Sequence, residues 1–105
     1  MRYALTLLMP VLAIFFGSAR AASEDVLIET ELGPLAGTYL LPESGAPKAV
    51  ALIIAGSGPT DRNGNSKVIP GSNNSLKMLA EALADNGVGS LRYDKRLIGE
   101  SAGTD

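Results

Sequence analysis

The hydrophobic pattern is dominated by Ala49-Val50-Ala51-Leu52-Ile53-Ile54-Ala55, an apolar run with no polar alternation that stops abruptly at Gly56-Ser57-Gly58-Pro59. Alternation would mark a strand with one solvated face; an unbroken run predicts a strand covered on both faces, as in parallel sheets flanked by helices. Upstream, Val26 to Glu31 and Leu35 to Leu41 are two shorter extended runs around Gly33-Pro34, which predicts an antiparallel hairpin at a sheet edge. Downstream, a polar stretch from Thr60 to Ser72 leads into Leu76, Leu79, Ala80 and Leu83, spaced i, i+3, i+4 and i+7. That spacing predicts a helix with one apolar face, capped by short polar side chains near Asn73-Asn74-Ser75 and stopped at Asn86-Gly87. Val88 to Tyr93 reads as the next strand. The pattern as a whole is α/β: an antiparallel hairpin followed by one βαβ unit.

The amino-terminal end follows a different pattern. Arg2 is a short positive start, Ala4 to Phe16 is apolar, and small residues surround Ala19-Arg20-Ala21. As a helix the apolar stretch would span about 20 Å, short of a hydrocarbon core of roughly 30 Å. The expectation is therefore a signal peptide over residues 1–21, export to the periplasm or the medium, and no stable membrane anchor. Residues 22–105 remain as the folded part.

Composition narrows the chemistry. The chain of 105 residues contains no cysteine and no histidine, which excludes within it a Ser-His-Asp or Cys-His arrangement, a redox pair, a disulfide framework and a Cys/His zinc site. The net charge of −2, with no basic cluster beyond Lys95-Arg96, argues against a nucleic-acid surface. No cofactor is expected.

Several motifs compete at the glycine-rich loop. A dinucleotide fingerprint requires G-x-G-x-x-G opening directly into a helix, whereas Gly56-Ser57-Gly58 runs into Pro59-Thr60-Asp61 and further loop. A phosphate-binding P-loop fails for want of Gly-Lys-Ser/Thr. Asp61, Asn63 and Asn65 alternate as in a calcium loop, but glycine stands at the fourth place instead of the sixth and Ser72 occupies the twelfth. The simpler reading of Asp61 to Ser66 is a turn whose side chains bond their own backbone.

Two spaced motifs, Gly56-Ser57-Gly58-Pro59-Thr60-Asp61-Arg62-Asn63-Gly64-Asn65 and Leu91-Arg92-Tyr93-Asp94-Lys95-Arg96, carry a family resemblance. Over nearly all of Val26 to Gly103 the chain resembles the amino-terminal part of an α/β-hydrolase, in particular an exported or cytosolic bacterial group with a Gly-Ser-Gly-Pro-x-Asp-Arg-x-Gly-Asn loop after its third strand. The resemblance implies a small-molecule acyl substrate for the full-length form, and a loop that supplies one backbone N–H to an oxyanion hole. The candidate site is thus Gly56, Ser57 and Gly58, with the Ser57 N–H as donor and that of Gly58 as the alternative. The Ser57 hydroxyl is expected to have no catalytic part, since no histidine is present to activate it.

Gly99-Glu100-Ser101-Ala102-Gly103 fits the G-x-S-x-G pattern of a nucleophile elbow. An elbow needs a strand running straight into the first glycine, but Asp94 to Ile98 intervene after Tyr93. In the resembling group this place is a loop of the form Asp-Lys-Arg-Gly-x-Gly-x-Ser; Arg96, Gly99 and Ser101 match it, and Leu97 stands where glycine is usual. The triad of that fold lies in later strands, so the expectation is an amino-terminal fragment of a serine hydrolase, inactive alone. The alternative from another class is a small, complete, non-catalytic binding or interaction domain. For the export signal the expected outcome is that secreted material begins near Ala22 on amino-terminal sequencing; exported protein that still starts at Met1 would contradict it.

Overall fold

The computed structural model describes residues 21–101 and residue 103. The expected signal peptide therefore lies outside the described residues except for Ala21, which packs against the edge of the core. Four strands form one sheet in the order β1-β2-β4-β3. β1 (Ala22–Ile28) and β2 (Leu35–Leu41) are the antiparallel hairpin, in register from Ala22↔Leu41 to Ile28↔Leu35. β1 begins ahead of its apolar residues because an edge strand tolerates Ser23, Glu24 and Asp25 facing water. Its Asp25 carboxylate accepts the Thr38 hydroxyl of β2 at 3.0 Å.

β3 (Ala49–Ile53) and β4 (Val88–Tyr93) lie parallel, from Ala49↔Val88 to Ile53↔Arg92, and β4 pairs antiparallel with β2 on its other side. The helix α1 (Ser75–Asp85) connects them. The expected hairpin and βαβ unit are both present. Because β3 and β4 run side by side, their carboxyl ends, and the loops that leave them, emerge together.

The core lies between α1 and one face of the sheet. Ala80 and Ala84 are buried against Leu40 and Ile53, with Leu76 and Leu83 partly buried beside them. Two alanines at i and i+4 let the helix backbone approach the sheet closely, and this turns the helix away from the face expected from the leucine spacing. Leu79 is left half exposed and Ala84 takes its place.

At the amino terminus of α1 the expected side-chain capping is met in part, by Asn73 and not by Asn74. Asn74 adopts a left-handed conformation and makes no side-chain cap; its side-chain oxygen instead accepts the Asn65 amide at 2.7 Å. Asn73 Oδ1 accepts the Ser75 N–H at 3.1 Å, and the N–H of Leu76 donates to the Asn63 carbonyl at 3.0 Å. A helix start leaves N–H groups without intrahelical partners, and here the polar loop supplies part of what they need. At the other end, Gly87 N–H closes on Ala84 O at 3.0 Å, as Asn86-Gly87 implied.

β3 corrects the expectation of a strand covered on both faces. Ile53 is 7% exposed under the helix, whereas its neighbour Leu52 is 59% exposed, and Val50 and Ile54 share that open side. Among the described residues β3 is an edge strand and α1 covers one face only. The apolar run reflects what both faces of the strand can bury, which is more than one helix can cover.

Beyond β4 the chain enters a tight turn ending in a short 3₁₀ segment, Gly99–Ser101. Leu97 takes φ 67° there, in the left-handed region. That conformation costs an L-residue roughly 1–2 kcal/mol, against roughly 0.5–1 kcal/mol of additional backbone entropy that glycine would lose on folding. Leu97 is mostly exposed, so its side chain contributes little burial. Leu97→Gly is expected to raise the unfolding free energy by about 0.5–1 kcal/mol, measured as a higher urea midpoint; a lower midpoint would show that leucine packing outweighs the strain.

Candidate active site

The two sequence motifs meet at the carboxyl ends of β3 and β4. At their junction is Asp94, 3% exposed, one residue past β4. Its Oδ1 accepts the Arg62 backbone N–H at 2.7 Å, and its Oδ2 accepts Arg62 Nη1 at 2.8 Å and the Glu100 N–H at 2.9 Å. The Asp94 backbone is held equally firmly: its N–H donates to Ala36 O of β2, and its carbonyl accepts the Ser101 hydroxyl, both at 2.8 Å. A carboxylate removed from water must be paired and hydrogen-bonded to remain charged at tolerable cost. The Arg62 guanidinium supplies the charge, and the backbone N–H groups of Arg62 and Glu100 supply the further hydrogen bonds.

Gly99 is part of the same arrangement. A Cβ on it would stand 2.4 Å from Asp94 Oδ2, and its φ is +52°, so no other residue fits without displacing the carboxylate. Arg62 reaches further, through Nη2, to the exposed Glu100 carboxylate. Arg92, buried on β4, donates through Nη2 to Asn63 Oδ1 at 3.3 Å. Burial, and then the positive charge of Arg62, lower the Arg92 pKa from the ordinary arginine value, while the charges of Glu81 and Asp25 oppose the shift.

Asp61, Asn63 and Asn65, which alternate as in a calcium loop, are turned inward onto protein donors. Asp61 Oδ1 accepts the N–H groups of Asn63 and Asn65 at 2.9 and 3.0 Å. Asn65 Oδ1 accepts the Asn74 N–H at 3.0 Å. This is the turn, bonded to its own backbone, that the residue types implied, and it also docks the loop onto the start of α1.

Gly56, Ser57 and Gly58 lie exposed at the end of β3. Lys95 Nζ donates to the Gly56 carbonyl and, at 2.7 Å, to the Gly58 carbonyl. Gly58, at φ +83°, turns the chain so that both carbonyls face the ammonium. Thr60 N–H also donates to Gly58 O at 2.8 Å, and Thr60 Oγ1 reaches Ser57 O at 3.4 Å. Among the described residues, the N–H groups of Ser57 and Gly58 have no protein acceptor. Arg62, Asp94 and Lys95, which hold this loop in place, were present in the motifs but were not singled out from sequence; the signal was their co-occurrence at the ends of two neighbouring strands.

Ser101 is not displayed as an elbow serine would be. It is 2% exposed, and its Oγ both donates to Asp94 O and accepts the Ala36 N–H at 2.9 Å. The turn from Asp94 to Ile98 separates it from β4, so no strand aims its hydroxyl outward. Incubation with a fluorophosphonate probe is expected to leave Ser101 unlabelled; stoichiometric labelling at that residue would restore it as a nucleophile.

No family model matches the chain, and no match is found among curated proteins. Solved structures do match. A cold-adapted esterase from an Arctic intertidal metagenomic library superposes with a TM-score of 0.58 at 19% identity, over 82% of this chain and 34% of its own. An α/β serine hydrolase without a lid, from Xanthomonas campestris, superposes with a TM-score of 0.56 at 25% identity, over 79% of this chain and 36% of its own. The described residues therefore have an α/β fold corresponding to part of the α/β serine hydrolases, and the chain spans about a third of the length of these neighbours.

Proposed function

We propose that this chain is the exported amino-terminal part of a serine hydrolase acting on an ester or related acyl bond of a small molecule, and that Gly56-Ser57-Gly58 supplies one donor of its oxyanion hole. The observation that carries this reading is the state of the loop at the carboxyl end of β3. Its carbonyls at Gly56 and Gly58 are engaged by Lys95, while the N–H groups of Ser57 and Gly58 are without acceptors among the described residues. In open α/β sheets ligands bind beyond the carboxyl ends of the strands. A donor fixed there before the substrate arrives can stabilise the charge that develops on a carbonyl oxygen without reorganising.

The chemistry needs more than this donor. A serine must lose its proton to a base as it attacks, and the chain contains no histidine. Ser57 therefore acts through its backbone, and the nucleophile, acid and base of this reading belong to sequence beyond Asp105. The esterase and the lidless hydrolase among the solved neighbours support the reaction class.

The coding sequence beyond Asp105 is expected to contain a further G-x-S-x-G, followed by Asp or Glu and then His. In the protein so completed, Ser57→Pro deletes the proposed N–H and should lower turnover roughly 10²-fold, the usual effect of losing one oxyanion donor. Ser57→Ala keeps the N–H and should be nearly silent, with circular dichroism verifying the fold of both variants. An alanine variant as impaired as the proline variant would place the function in the hydroxyl, and esterase activity of the 105-residue chain alone would refute the division of labour.

A further inference from the structure

We propose that Lys95 is a positioning residue that sets the direction and strength of the Ser57 N–H donor; this rests on the oxyanion reading of that N–H. The argument starts from the peptide plane. In a trans peptide the C=O of one residue and the N–H of the next point in opposite directions. Lys95 Nζ binds the Gly56 carbonyl, so the Ser57 N–H, which shares that peptide, points away from the ammonium and off the far side of the turn. The second bond of Lys95 goes to Gly58 O at 2.7 Å. That carbonyl belongs to the Gly58-Pro59 peptide, which has no N–H, and so acts purely as an anchor. The two contacts fix the turn on either side of Ser57 while leaving its donor free.

The Ser57-Gly58 peptide, which bears the alternative donor, is held less tightly. Among the described residues its carbonyl has only the Thr60 hydroxyl, at 3.4 Å. Lys95 thus distinguishes between the two candidate N–H groups and selects Ser57. Charge adds to geometry: a cation on a peptide oxygen draws electron density from the nitrogen, which makes the N–H a stronger donor. The adjacent residue grips the other end of the same loop, since Asp94 accepts the Arg62 N–H at 2.7 Å. Consecutive residues of opposite charge thus hold the carbonyl side of the turn and the N–H side of its exit.

The test uses isotopically labelled 105-residue chain with Lys95→Met and Lys95→Arg, the carbonyl carbon of Gly56 and the amide proton of Ser57 being read by NMR. Both signals are expected to move upfield in Lys95→Met, which has no donor, and to stay close to wild type in Lys95→Arg, which keeps one and its charge. Signals of Ala80 and Ile53 report whether the core is intact. Identical Gly56 and Ser57 signals in all three proteins would overturn the proposal, and so would equal displacement by methionine and arginine, which would assign the effect to shape. In the completed hydrolase, Lys95→Met should lower kcat about tenfold with KM unchanged, as for a weakened transition-state donor, and Lys95→Arg should restore it. If the NMR signals move as expected but Ser57→Pro leaves turnover intact, the clamp stands and the oxyanion reading fails.

Discussion

A buried carboxylate governs this structure. Asp94 is enclosed at the end of β4, and its two oxygens accept N–H groups from Arg62 and Glu100, residues far apart in the chain. Removing one partner of a buried ion pair typically costs about 3–5 kcal/mol, because the other charge is left uncompensated. Arg62 and Asp94 therefore constrain each other's position: the loop after β3 must approach the loop after β4 closely enough for both the guanidinium and the backbone N–H of Arg62 to reach. Gly99 follows from the same constraint, as any side chain there would occupy the space of the carboxylate.

The hub explains why a serine within a G-x-S-x-G sequence has a structural place. Ser101 ties the Asp94 carbonyl to the Ala36 N–H of β2, so its hydroxyl is used on both sides. The turn that brings it there requires a left-handed residue at position 97, and leucine accepts that strain. Strain of this size persists only where surrounding contacts over-determine the conformation. Here these are the Leu97 N–H on Ser101 O at 3.1 Å and the Ser101 N–H on Ile98 O at 2.8 Å.

The sheet has two unlike faces. Under α1, the two alanines and Ile53 form a small, close core. On the other side, Val50 and Leu52 of β3, and Ile54 just beyond it, remain open among the described residues. Covering a side chain of this size is worth roughly 1.5–3 kcal/mol, so the strand holds considerably more stabilising potential than α1 draws from it. Edge position and apolar sequence are a combination that soluble sheets usually avoid.

The sequence by itself determined the elements and their order. Gly33-Pro34 separates two extended runs that can pair only as a hairpin, and a leucine-bearing helix between two apolar strands leads to a βαβ unit, because period and breakers are local properties of the chain. The Asp61 turn was legible for the same reason, its side chain reaching only two and four residues ahead. What only the tertiary structure decided depends on residues brought together from afar. The helix is rotated so that Ala84, not Leu79, meets the sheet, because close approach favours the smaller side chain; no spacing rule contains that preference. At the start of α1 the Asn73 side chain is an acceptor that the residue types imply, whereas the Asn63 carbonyl, which takes the Leu76 N–H, is a backbone group that has no signature in them. Asp94, Lys95 and Arg62 were visible as charged residues in two motifs, yet their partnership exists only because parallel pairing sets the ends of β3 and β4 side by side. A buried charge selects its partner by proximity in space, and the linear order of the chain carries no measure of that proximity.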